Sequence, residues 1–348
     1  MSEAVEQAVA RDDEDAAAEY AAVRGGGAGL IDFSVRGLIE LSGTEVVTFL
    51  NGLVTNDVKA LADGAWMAAA FPNVQGRLVA AVRILRDGDS FFIDTDVSTH
   101  LRVLQNLQRF TLAGDFRVRD CAEETTLISV QGAKAARCVA AVLGSAAAQV
   151  ERSQVVRAEP QLLIIRATHT AEDGFDLFVP IAQAQRICEQ LMGAGARRVG
   201  QEALEILRIE AGLPRYGTDV DETTVVLEAG LEEAVSYTKG CYLGQEIIAR
   251  IHWRGHVARR LAGLIIEDGA TVVARGARVR STDGRELARV TSSVFSPQLG
   301  KTIALGLVKY DFLTPGTIVN VVEEGQEPRP AAVAALPFVR GSWYAKEA

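Results

Sequence analysis

Glu286-Leu287-Ala288-Arg289-Val290-Thr291-Ser292-Ser293-Val294-Phe295 and Thr302-Ile303-Ala304-Leu305-Gly306-Leu307-Val308-Lys309 are two strand-length runs rich in β-branched and apolar residues. Between them lies the break Ser296-Pro297-Gln298-Leu299-Gly300, which neither a helix nor a central strand tolerates. The same texture continues outward in Arg260 to Glu267, Arg278 to Ser281 and Thr317 to Val322. Short strands at regular intervals, without helical periodicity, predict a small β-barrel or sandwich as a C-terminal domain over 255–348. The boundary is expected near residues 250–258.

Upstream the period changes. A strand around Leu38-Ile39-Glu40-Leu41 is followed by Val46, Phe49, Leu50 and Leu53 at helical spacing. Strands over Arg77 to Leu85 and Ser90 to Asp94 flank the turn signal Asp87-Gly88, and a helix is predicted from about Thr99 to Phe110. The pattern then repeats: strand Thr126 to Gln131, helix Ala133 to Leu143, strands Gln161 to Ala167 and Phe175 to Val179, helix Ile181 to Met192. A further helix is expected from Gln201 to Glu210. Interleaved helices and hairpins imply an α+β region over 25–254, in two lobes split near 120–125, with helices packed on antiparallel sheets. Residues 1–24, Ala-rich with Asp12, Asp13, Glu14 and Asp15 in a row, read as a mobile acidic tail.

A net charge of -9 over 348 residues opposes a surface built to neutralise many phosphates, so no direct nucleic-acid binding is expected. Arg250, Arg254, Arg259 and Arg260 form a local basic patch better suited to a small polyanion. With no signal-like start and no apolar run of the roughly 18–20 residues that span a bilayer, a cytoplasmic protein without a membrane partner is expected. The four cysteines, Cys121, Cys138, Cys188 and Cys241, are widely spaced and form no C-x-x-C pair, so they predict neither a disulfide framework nor a zinc finger.

Cys241 is the unusual one. It lies between Gly240 and a turn containing Gly244, two residues after Lys239 and nine before Arg250. Cationic neighbours stabilise a thiolate, which makes Cys241 a candidate nucleophile or metal ligand; the plainer alternative is a small buried packing residue. His252 and His256 stand four apart, but the Gly255 between them and the surrounding arginines oppose a dication, and no metal site is expected. Asp176 and Phe178 share one face of a period-two strand. Asp176 is therefore either a carboxylate in an apolar wall, needing N–H donors, or a solvent-facing residue. Glu210, at a helix end, has the same ambiguity. There is no P-loop, dinucleotide fingerprint or G-x-S-x-G elbow.

Several segments together resemble the glycine-cleavage T-protein superfamily. They are Phe49 to Val58, Asn73-Val74-Gln75-Gly76-Arg77, Gly174-Phe175-Asp176, Arg208 to Pro214 and Ser296 to Lys301. Within it, Lys239-Gly240-Cys241-Tyr242-Leu243-Gly244-Gln245-Glu246, with Arg250 and Gly255, is similar to the pattern of the YgfZ group of folate-binding proteins. The resemblance implies a three-lobed fold, two α+β lobes plus a C-terminal β-barrel, arranged as a ring around tetrahydrofolate. It implies Asp176 as the pterin-reading acid, Asn56, Asn73, Glu210 and Arg254 as further folate contacts, and Cys241, supported by Lys239 and Arg250, as the working residue. It further implies an accessory role in iron–sulfur cluster assembly or repair, with folate and iron–sulfur client proteins as partners, indirect support of tRNA modification, and a monomer. T-proteins that transfer an aminomethyl group resemble one another in an Asp a few residues after Asn-x-x-Gly. Here that stretch is Leu78-Val79-Ala80-Ala81-Val82, and an alanine neither accepts nor orients a proton. The alternative is a tetrahydrofolate-dependent aminomethyltransferase or a related one-carbon transferase.

Overall fold

A computed structural model describes residues 15–34, 36–109, 114–267, 269 and 271–345. The chain folds into two compact units, each assembled from separate stretches of sequence.

The first unit comprises residues up to 34, 124–211 and 339 onward. Its sheet holds six strands in the order β11-β1-β7-β10-β9-β8. These are β1 (Gly29–Asp32), β7 (Thr125–Gln131), β8 (Val155–Glu159), β9 (Leu162–Arg166), β10 (Gly174–Pro180) and β11 (Arg197–Val199). Only the β1–β11 pair is parallel. Alternation assigns the two faces. Leu30, Ile128, Val130, Phe175, Leu177 and Val179 form a core with helices α4 (Ala135–Leu143) and α5 (Ile181–Gly193), while Ile31 and Val199 face α6 (Gln201–Glu210).

The N-terminal reading needs correction here. Residues 15–24, assigned from sequence to a mobile tail, are helical (α1), and Tyr20 and Val23 are buried against Ile31, Leu204 and Leu207. Two large apolar side chains three apart on an Ala-rich helix suffice to dock it. The rest of that tail, residues 1–14, lies outside the described residues.

The second unit comprises residues 35–123 and 212–338. Its five-stranded sheet, in the order β3-β4-β5-β2-β6, contains β2 (Gly37–Ser42), β3 (Ala65–Pro72), β4 (Leu78–Asp87), β5 (Ser90–Thr95) and β6 (Arg117–Asp120). Helices α2 (Val46–Leu53) and α3 (Val97–Gln108) cover it through Leu50, Val103 and Leu107, which meet Ile39, Ile84 and Ile93. The same unit holds a closed six-stranded barrel, β12-β15-β14-β13-β16-β17. Its strands are β12 (Arg259–Ile266), β13 (Arg278–Ser281), β14 (Glu286–Ser296), β15 (Lys301–Lys309), β16 (Ile318–Val322) and β17 (Arg329–Ala334). Closure leaves no unpaired edge. The architecture is the expected α+β fold, two sheet-rich lobes plus a C-terminal β-barrel.

Within the second unit, α7 (Gln245–Arg254) precedes the barrel, a helix that periodicity did not reveal. Its inner face, with Ile248 buried and Ile251 half-buried, packs with Ala70, Leu78, Val226 and Tyr242. A helix of 10 residues ending in His, Trp and Arg shows too narrow an apolar stripe to stand out in sequence.

Candidate functional site

Three of the motif segments converge in the second unit. The chain from Ser236 to Leu243 wraps the C-terminal end of α2: the Ser236 amide donates to the Thr55 carbonyl and the Leu243 amide to that of Gly52. Lys239 supplies the central tie. Its ammonium donates to the carbonyls of Asn51 at 2.8 Å, Val54 at 2.8 Å and Asn56 at 2.6 Å, and lies 5.0 Å from the Tyr242 ring centroid. The last carbonyls of a helix lack intrahelical partners, and a buried cation there satisfies them while meeting the negative end of the helix dipole. Burial pushes the Lys239 ammonium down to about 8. All three of its protons are committed to carbonyls, so Lys239 anchors the loop.

The hairpin turn Asn73 to Arg77 closes the other side. Asn73 Oδ1 accepts from the amides of Gln75 and Arg77, and a Cβ on Gly244 (φ +76°) would overlap the Asn73 carbonyl oxygen. Gly244 is the N-cap of α7. Tyr237 stacks on His252 with ring centroids 3.6 Å apart, so the loop runs back along α7 from its C-terminal half to its first turn. Tyr242 is buried, and burial followed by the charge of Tyr237 pushes its phenol up to about 12. Cys241, between these fixed points, is exposed.

The remaining expected residues divide. Arg250 and Arg254 are exposed on one face of α7, with no ion pair among the described residues. Asn56 is engaged: its amide donates to the Ala68 and Glu233 carbonyls and accepts from Asp57. Asn73 Oδ1 is likewise engaged, as a turn staple. His256 stacks on Tyr310 and His252 on Tyr237, and no group of three metal-ligating side chains occurs among the described residues.

Asp176 and Glu210 belong to the first unit. Glu210 is fully buried and accepts from the Tyr20 hydroxyl at 2.9 Å and from Arg24 Nε at 3.0 Å. Arg24 also donates to Glu172, which accepts from the Ser342 hydroxyl and amide. Burial pushes the Glu172 carboxyl up, but the Ser342 and Arg24 donors outweigh it and hold it below the ordinary range. Glu210 thus ties α6 to α1.

Asp176 is fully buried on β10, sharing a face with Phe178. Its Oδ2 lies 2.8 Å from Nε2 of His169, whose backbone amide donates to Gln131 Oε1. Residue reasoning missed His169. The only available signal was its place in the β9–β10 connection, seven residues before Asp176.

Residues 6–239 match the family GCVT N-terminal domain, and residues 259–340 match the glycine cleavage T-protein C-terminal barrel domain. The chain belongs to the glycine-cleavage T-protein family. Among curated proteins it is 32% identical over 327 residues to the aminomethyltransferase of Rubrobacter xylanophilus, covering 93% of this chain and 86% of the relative. It is 33% identical over 328 residues to that of Thermus thermophilus, covering 92% and 89%. The crystal structure of glycine cleavage system aminomethyltransferase T from Bartonella henselae is similar at a TM-score of 0.85 and 25% identity, covering 93% of this chain and 90% of that one. No described helix is long and apolar enough to cross a membrane.

Proposed function

We propose that this chain binds tetrahydrofolate or a related folate and serves as an accessory factor for iron–sulfur cluster assembly or repair, with Cys241 as its working residue. The observation that carries this reading is an exposed thiol on a backbone fixed on both sides. Lys239 and Leu243 tie the loop to α2, and Gly244 fits against the Asn73 turn. A thiol so presented reaches a partner without rearranging the core beneath it. Ala80 and Ala81 on β4 stand where the resemblance to transferring T-proteins expects a carboxylate, which leaves no proton acceptor at those positions. Iron–sulfur proteins in the cytoplasm, including those that modify tRNA, are the clients this reading implies.

One-carbon transfer is the second reading, and the comparisons favour it over the first. The similar proteins of Rubrobacter and Thermus carry the name aminomethyltransferase and align over nearly their whole length. In this reading the same folate site serves an aminomethyltransferase or related enzyme, and Cys241 is incidental.

Two measurements separate them. Purified protein is assayed for tetrahydrofolate-dependent one-carbon transfer, and Cys241→Ala is tested for rescue of iron–sulfur enzyme activity in a deletion strain. Robust turnover together with full rescue by Cys241→Ala would sink the accessory reading.

A further inference from the structure

Asp176 is the acid that the resemblance sets against the folate heterocycle, yet a second side chain stands over it. Asp176 is 0% exposed, whereas the His169 side chain, 2.8 Å away through Nε2, retains 19% exposure. We propose that His169 is the residue that meets the heterocycle, with Asp176 behind it as the orienting carboxylate; this rests on the folate reading above.

The geometry fixes the imidazole in three ways. In the tautomer this proposal requires, Nε2 carries the proton donated to Asp176 and Nδ1 keeps its lone pair. The Phe33 ring flanks the imidazole at a centroid distance of 4.5 Å. The His169 amide is held by Gln131, itself fully buried and donating to Ser129 Oγ at 2.9 Å and the Ala167 carbonyl at 3.0 Å. Nδ1 makes no hydrogen bond among the described residues, so it is open to one N–H of a ligand.

The chemical consequence separates this chain from one that presents a bare carboxylate. A carboxylate accepts two parallel N–H groups; an imidazole nitrogen accepts one. Among the described residues, the charged groups on these elements are Asp32 at the end of β1, Arg166 at the end of β9, Asp176 on β10, and Glu172 and Asp173 on the connection that carries His169. Arg166 pairs with Asp173 at 2.7 Å, and Glu172 is taken by Arg24 and Ser342. Asp176 is the one that contacts the imidazole.

The test is a binding titration of the full-length protein with tetrahydrofolate for wild type, His169→Ala and His169→Gln, with a thermal melt of each variant. Loss of one hydrogen bond to a buried ring predicts about tenfold weaker binding by His169→Ala. Glutamine can donate to Asp176 and accept from the ligand, so His169→Gln is expected to bind within about threefold of wild type. Binding by a folded His169→Ala equal to or tighter than wild type would show that the carboxylate is itself the reader and overturn the inference. If His169→Ala does not fold, His169→Leu, which fills the space without an acceptor, takes its place, and binding equal to or tighter than wild type overturns the inference. Undetectable binding by wild type removes the folate reading and the inference with it.

Discussion

Lys239 Nζ donates to the carbonyl of Asn51 at 2.8 Å, so the residue two places before the exposed thiol closes the last turn of a helix nearly two hundred positions earlier. The segments Phe49 to Val58 and Lys239 to Glu246 are each other's binding surface.

Replacing that ammonium tests the tie. Lys239→Met keeps the apolar stem but leaves three carbonyls without their donor, with an expected loss of about 1–3 kcal/mol. Urea denaturation measures it. A midpoint unchanged from wild type would mean that the loop is held by its backbone contacts alone.

Gly244→Ala places a side chain at φ +76° against the Asn73 carbonyl, for an expected cost of about 1–3 kcal/mol. Gly240→Ala is the matched control, because a Cβ there meets nothing within 4 Å. It is expected to stay within about 0.5 kcal/mol of wild type. Parallel melts of the two variants decide the point.

Asp94 provides a pH test. It is fully buried between Arg36 at 2.6 Å and Arg83 at 2.7 Å. Burial pushes its carboxyl up, but the two guanidinium groups outweigh this and hold it below the ordinary 3.8. With a native pKa below the unfolded one, its contribution is complete above 3.8 and is lost as pH falls through the native value. Asp94→Asn is therefore expected to cost about 3–5 kcal/mol at neutral pH, with the gap from wild type closing below 3.8. A gap independent of pH in denaturant titrations would contradict the ion pairs as its source.

Cys241 should be the first thiol to react in the native protein. Cys121 and Cys138 are buried, and burial pushes the thiols of Cys138 and Cys188 up. Alkylation followed by mass spectrometry is expected to mark Cys241 alone at early times. Cys241→Ser should remove that fast phase and leave the melt within about 0.5 kcal/mol of wild type.

The barrel was readable because β14 and β15 advertise themselves through β-branched runs and a Pro-Gly break. Asp176 was readable as sharing a face with Phe178, but its burial was not, since alternation alone does not say which face of a sheet is covered. The Cys241 run was recognised as a pattern, while its mechanics were hidden. Nothing local to Lys239 says that its ammonium reaches the carbonyls of Asn51, Val54 and Asn56. Asn56, Asn73 and Glu210 were polar residues in motif segments, and polar residues there proved to hold backbone and helix ends together. His169 escaped notice because its importance lies in one contact across a connection that has no period.

The Arg24–Glu172–Ser342 chain of hydrogen bonds carries a further implication, for synthesis on the ribosome. The first unit draws its parts from stretches of sequence on both flanks of the second, so its polar cluster stays incomplete until residue 342 has emerged. The hydroxyl and amide of Ser342 are then the last groups to reach Glu172, and a nascent chain halted after the barrel would hold that carboxylate without them.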